Sequence, residues 1–145
     1  MSKKYKLGVV GYPIEHSLSP FIHSRFSRKE NINIEYLPYK VEANDFDSFI
    51  KEFFSDRYSK GVNVTLPYKK NAANLTGVIS VEAKYVNAVN TIVKLDEELY
   101  FYSTDGKGFI RDINSKGFNL KNKNVLISGA GAAIESILYL SLIHI

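Results

Sequence analysis

The sequence predicts an α/β fold whose centre is a mostly parallel open sheet with one antiparallel hairpin. Short apolar runs closed by glycine or by a polar turn recur at 5–11, 61–64 and 124–129, as strands buried on both faces do. Stretches of helical spacing stand between them, and strands alternating with helices pair in parallel. The third observation is local: AVNTIVK (88–94) and ELYFYS (98–103) flank Asp96-Glu97 as the two arms of a hairpin.

YKLGVVG (5–11) reads as the first strand, ended by Gly11-Tyr12-Pro13. Ser19 stands where an N-cap belongs, with Pro20 at the first helical position. Phe21, Ile22 and Phe26 then give a helical face, so a helix is expected to about Asn31. IEYLPYKV (34–41) is the second strand, and Pro38, which has no N–H for the ladder, puts it at an edge. Asn44 is placed to cap the clearest helix of the chain, where Phe46, Phe49, Ile50, Phe53 and Phe54 fall at i, i+3, i+4, i+7 and i+8. GVNV (61–64) opens a third strand that breaks at TLPYKK, and short helices are expected at 70–74 and 81–86. After the hairpin, Phe109, Ile110 and Ile113 space a helix over 105–117 that stops at Gly117. NVLISGAGAA (124–133) closes as a buried strand running into a Gly-rich turn.

A length of 145 residues bounds the chain to one domain, or one domain and a piece of a second. Hydrophobic residues at 45% and charged residues at 23% exclude disorder and low complexity. No stretch reaches the ~18 apolar residues of a membrane span, and the start of the chain is too short in apolar residues for a signal peptide. Zero Cys removes disulfides, a thiol nucleophile and a Cys-based zinc site, while three scattered His argue against a metal centre. A reducing cytoplasm fits this composition. The surplus of 19 Lys/Arg over 15 Asp/Glu, +4, suits anionic small molecules as readily as nucleic acid. No basic stripe interleaved with aromatics supports the nucleic acid.

Polar residues interrupt the apolar runs at the strand ends: Ser17 and Ser19, then Asn63, Thr65 and Lys69, then Asn90 and Thr91, then Thr104 and Asp105. Ligands of open α/β sheets bind beyond the carboxyl ends of strands, so these positions could converge on one pocket. Each also has a plainer role: Ser19-Pro20 as a helix cap, Asn63 and Thr65 as partners for backbone groups, Lys69 as a solvated cation, and Asp105 as a turn residue. Their order and spacing carry the argument.

That order resembles the shikimate dehydrogenase family. The stretches that carry the resemblance are GYPIEHSLSPFIHS (11–24), NVTLPYK (63–69), AVNT (88–91), STDG (103–106) and GAGAA (129–133), spread over residues 5 to about 139. Ser103 stands where the family usually has Asn. Gly129-Ala130-Gly131-Ala132-Ala133 stands where it has GAGGA, so a glycine of close backbone approach is missing or a residue has been lost. The resemblance implies an oxidoreductase that uses NADPH to reduce 3-dehydroshikimate to shikimate. Lys69 would be the proton donor to the developing oxyanion and Asp105 its partner, since an ammonium keeps its proton to ~10.4 unless its surroundings poise it. Ser17 and Ser19 would bind the substrate carboxylate, while Asn63, Thr65, Asn90 and Asp105, with Lys69, would divide the ring hydroxyls. Residues 129–133 would serve the cofactor, and His16 and His23 would only pack or face solvent. Quinate carries an extra hydroxyl on the carbon bearing its carboxylate, so paired serines favour shikimate over a quinate/shikimate dehydrogenase. A non-catalytic ligand-binding module is the alternative from another class, and a homodimer is left open.

The resemblance divides the chain into a substrate-binding domain (1–106), a linker helix (107–122) and a truncated start of an NADP-binding Rossmann domain, its first strand and helix (123–139). On that division the chain binds substrate without turnover, and 118–145 is poorly held for want of neighbours. The last six residues, LSLIHI (140–145), translate the end of a transposon adapter used in sequencing libraries and are expected to be non-native.

Overall fold

The computed structural model describes residues 4–144, with side chains through Leu140. Met1 to Lys3 and the last residue of the adapter-like tail, Ile145, lie outside the described residues. Among the described residues six strands form one sheet in the order β2-β1-β3-β5-β6-β4: β1 (Tyr5–Gly11), β2 (Ile34–Lys40), β3 (Ser59–Val64), β4 (Val78–Ile79), β5 (Thr91–Leu95) and β6 (Glu98–Tyr102). β2 and β3 both lie parallel to β1, and β4 lies parallel to β6. β5 runs the other way, antiparallel to both β3 and β6. The hairpin turns at Asp96, whose φ of 53° is left-handed, as the primed turns of tight hairpins require. β2 occupies an edge, where the missing N–H of Pro38 costs no ladder bond.

The helices are α1 (Ser19–Glu30), α2 (Phe46–Ser55), α3 (Lys69–Ala72), α4 (Val81–Val86), α5 (Asp105–Ser115) and α6 (Ala132–His144). The core lies between α2 and the sheet: Phe46, Ile50, Phe53 and Phe54 are buried against Val10, Val62, Val64, Ile92 and Phe101. Burying each such side chain is worth ~1.5–3 kcal/mol, so this face of α2 holds the sheet together. α1 buries no residue completely.

Two expected caps are reassigned. Leu18, not Ser19, precedes the first turn of α1, and the Ser17 hydroxyl accepts from the Ser19 N–H at 3.3 Å. Asn44 does not cap α2 but lies inside a one-turn 3-10 helix, Ala43–Asp45. The linker helix expected over 107–122 starts at Asp105 and ends at Ser115.

The strand expected over 124–129 does not form. Val125 is 52% and Leu126 97% exposed, and no strand among the described residues pairs with this stretch. A strand needs a neighbour to take its N–H and C=O groups, and an apolar run with none offers only a capacity for burial. The helix that follows does form and does find neighbours, contrary to the expectation for 118–145. Tyr139 packs on Tyr85 of α4 with ring centroids 4.4 Å apart, and Ser136 meets Ser103 in a buried hydrogen bond of 2.8 Å. Gly106 permits that approach, because a Cβ there would lie 2.3 Å from the Ser136 carbonyl oxygen.

Candidate active site

The parallel strands β1 and β3 both end at one side of the sheet, and the chain leaving them carries the polar residues. Gly11 lets the two exits close on each other, since a Cβ on it would strike Thr65 Cγ2 at 2.5 Å. After β3 the chain turns through Thr65 to Tyr68, whose N–H donates to the Thr65 carbonyl at 2.9 Å. Tyr68 anchors this turn: it is 2% exposed, its ring stacks on Phe46 with centroids 4.7 Å apart, and its hydroxyl donates to the Val41 carbonyl at 2.5 Å. Lys69 therefore starts α3 from a fixed base, and its own carbonyl accepts the Val89 N–H at 2.8 Å.

Lys69 Nζ lies 2.5 Å from Asp105 Oδ2, with the two side chains 16% and 27% exposed. Asp105 opens α5, where a carboxylate also meets the positive end of the helix dipole. Its second oxygen accepts from Asn90 Nδ2 at 2.7 Å. The Asn90 side-chain carbonyl oxygen accepts from the Thr104 N–H and the Thr91 hydroxyl, both at 3.0 Å. Asn63 Nδ2 donates to Thr91 Oγ1 at 3.1 Å, and Asn63 Oδ1 accepts from the Tyr36 hydroxyl at 2.7 Å. Lys69, Asp105, Asn90 and Asn63 are thus joined in one hydrogen-bonded row along the strand ends.

Ser17, Ser19 and Thr65 line a neighbouring cavity of about 280 Å³ together with Val9, Pro13, Ile14 and His16. Spatially, then, the expected substrate residues fall into a lysine–carboxylate–amide row and a hydroxyl-lined cavity. A larger cavity of about 560 Å³ lies at the opposite ends of the strands, beside Leu7, Phe26, Ile34 and Val93, and contains none of them.

Tyr36 was not among the expected site residues. The available signal was an inward-facing tyrosine on an edge strand, whose hydroxyl must find a partner when the ring is buried. His16, expected to pack or face solvent, is exposed at the lining of the cavity beside the two serines. His23 does pack, flat on Tyr36 at 4.1 Å between centroids, and burial lowers its pKa. Among the described residues no cluster of side chains is arranged to hold a metal ion, and no helix is long and apolar enough to cross a membrane.

Residues 129–133 form a bend that runs into α6. Gly129 has φ of +129°, and a Cβ on it would meet Ile134 Cδ1 at 2.6 Å. A Cβ on Gly131 would point into open space. Gly131 therefore leaves open space at the start of α6, and the start of a helix is where phosphate groups can be received.

A mixed sheet with a lysine–carboxylate pair and hydroxyls at its strand ends is the arrangement at which α/β domains commonly bind small molecules. Residues 9–92 match the family model described as the shikimate dehydrogenase substrate binding domain. The chain belongs to that family. It is 37% identical over 131 residues to a shikimate dehydrogenase (NADP(+)) of Laribacter hongkongensis, covering 90% of this chain and 48% of the relative. A Legionella pneumophila enzyme of the same name is 39% identical, covering 92% and 50%. Among solved structures, shikimate 5-dehydrogenase of Listeria monocytogenes in complex with shikimate and NAD superposes with a TM-score of 0.90 at 30% identity, over 99% of this chain and 49% of the other. The Thermus thermophilus enzyme with NADP(H) and shikimate gives 0.86 at 29%, over 94% and 52%. The chain spans about half the length of the curated relatives it matches.

Proposed function

We propose that this chain is the substrate-binding part of an NADP-dependent shikimate dehydrogenase, which reduces 3-dehydroshikimate to shikimate in the cytoplasm. The observation that carries the reading is the Lys69–Asp105 pair, 2.5 Å apart and held from the other side by Asn90. A bound nicotinamide cofactor would supply hydride to the ring ketone, and Gly129, Ala130, Gly131, Ala132 and Ala133 are the residues of this chain that would hold its pyrophosphate. The ketone oxygen gains negative charge and must take a proton. Lys69 Nζ gives that proton and offers a positive charge where the negative one develops. Asp105 holds the ammonium in place, and Asn90 occupies its second oxygen so that the carboxylate cannot swing away. Ser17 and Ser19 present short hydroxyl donors to the substrate carboxylate. Asn63, Thr65, Asn90 and Asp105 supply the donors and acceptors that a ring with several hydroxyls needs.

The division into a substrate domain to residue 106, a linker and a cofactor segment from 123, with a non-native tail from 140, belongs to the same proposal. Reading the genomic frame past Tyr139 tests the tail. Sedimentation tests the homodimer.

Binding is the direct test. Shikimate added to the isotope-labelled chain should move the resonances of Ser17, Ser19, Thr65 and Asn90. Shifts confined to the Phe46–Phe54 face of α2 would mean that the site lies elsewhere.

A further inference from the structure

Tyr36 takes part in the hydrogen-bonded row but has no role in the proposed chemistry. It sits on edge strand β2, opposite Leu7 of β1, and is 9% exposed. Its hydroxyl reaches past β1 to Asn63 on β3. The His23 ring lies against it at an interplanar angle of 11°, which sets the plane of the phenol and hence the direction of its O–H.

An asparagine amide has one accepting end and one donating end, and its partners decide which faces which way. At one end of Asn63 stands the Asn90 backbone carbonyl, 3.4 Å from Nδ2, which can only accept. At the other stands Tyr36, 2.7 Å from Oδ1. Burial raises the Tyr36 pKa to about 12, so the phenol keeps its proton and remains a donor at neutral pH. The Asn63 amide is therefore held with Oδ1 toward Tyr36 and Nδ2 toward Thr91. Thr91 Oγ1, accepting from Asn63, turns its own proton to Asn90 Oδ1. Tyr36 stands at the head of a row in which each donor points toward Asp105.

We infer that Tyr36 is a positioning residue that sets polyol recognition by fixing which end of the Asn63 amide faces the ring hydroxyls. The inference rests on the proposed function only in taking the ligand to be shikimate. Tyr36→Phe keeps the ring, its stacking on His23 and its burial while removing the one hydroxyl, and a thermal melt checks that the fold is kept.

Calorimetry on the chain and its variants, with shikimate and with cyclohexene carboxylate, which has the acid but no ring hydroxyls, provides the test. Tyr36→Phe should weaken shikimate by about three- to tenfold, the size of one hydrogen bond, and leave the deoxygenated acid unchanged. In an Asn63→Ala background the same substitution should have little further effect, because its route is gone. Equal weakening of both ligands, or an undiminished effect in the Asn63→Ala background, would make Tyr36 a packing residue and overturn the inference. A second readout needs no ligand: the two side-chain amide protons of Asn63 should shift and exchange faster in Tyr36→Phe. If they do not move, the inference falls. If they move while the parent chain fails to bind shikimate, the positioning stands and the functional proposal falls instead.

Discussion

Residues 61–64 and 124–129 are both read from the sequence as strands, and they have opposite fates. β3 lies between β1 and β5, with Val62 and Val64 each 2% exposed. The later stretch has no strand beside it among the described residues, and Leu126 is 97% exposed. Composition does not separate them. What differs is whether other parts of the chain supply hydrogen-bond partners and a covering helix, so a strand is a property of a neighbourhood rather than of a segment. The same contrast holds for function: Asn63, Lys69, Asn90 and Asp105, expected to meet substrate, are held by side-chain hydrogen bonds, whereas Gly129 to Gly131, expected to meet cofactor, are exposed.

The largest expected effect lies on the ordered side. In an enzyme completed with a cofactor domain of a relative, Lys69→Ala should reduce turnover by ~10²–10⁴-fold while weakening shikimate binding much less, because the ammonium acts on charge present only in the transition state. Asp105→Asn should also slow the reaction, and the double variant should be no slower than the worse single one. Steady-state kinetics decide this. An additive double variant, or a raised Michaelis constant at unchanged turnover, would reduce Lys69 to a substrate-positioning group.

Stability should divide the sheet and its covering helix α2 from the 124–129 stretch as sharply. Phe46, 1% exposed, packs on Tyr68 beneath the lysine, and Phe46→Ala should cost ~3–5 kcal/mol. Leu126→Ala should change stability by less than ~0.5 kcal/mol. Denaturant titration of both variants breaks the comparison if their costs are similar.

The boundary between the regions can be probed at Gly106. An added Cβ would meet the Ser136 carbonyl oxygen at 2.3 Å, a backbone atom that cannot step aside, so Gly106→Ala should cost ~1–3 kcal/mol. Hydrogen exchange should show the loss concentrated in α6 with β3 still protected. Uniform deprotection would mean that α6 and the sheet unfold as one unit.

The smallest effect is in pH. Burial lowers the pKa of His23 below its ordinary 6.5, so the folded state binds fewer protons than the unfolded chain just below that value. Stability is then full above pH 6.5 and lost as pH falls through the lowered value. His23→Gln should flatten this shallow acid limb in melts taken across about pH 5–7. An unaltered limb would show that His23 does not carry it.

The order of elements, the edge position of β2, the hairpin at Asp96 and the apolar face of α2 were all written locally. Alternation, a proline without an N–H, and phenylalanines spaced by the helical turn act over a few residues and carry their meaning with them. The motifs also held the identities of the expected site residues and their family. Tertiary structure decided what local pattern cannot reach: that Ser17 rather than Ser19 receives the helix-start N–H, that Asn90 and Tyr36 belong to one row with Lys69, and that 124–129 remains unpaired. Each depends on groups brought together from distant parts of the chain. A hydrogen bond or a strand pair exists only when both halves are in place, and one segment of sequence records only its own half.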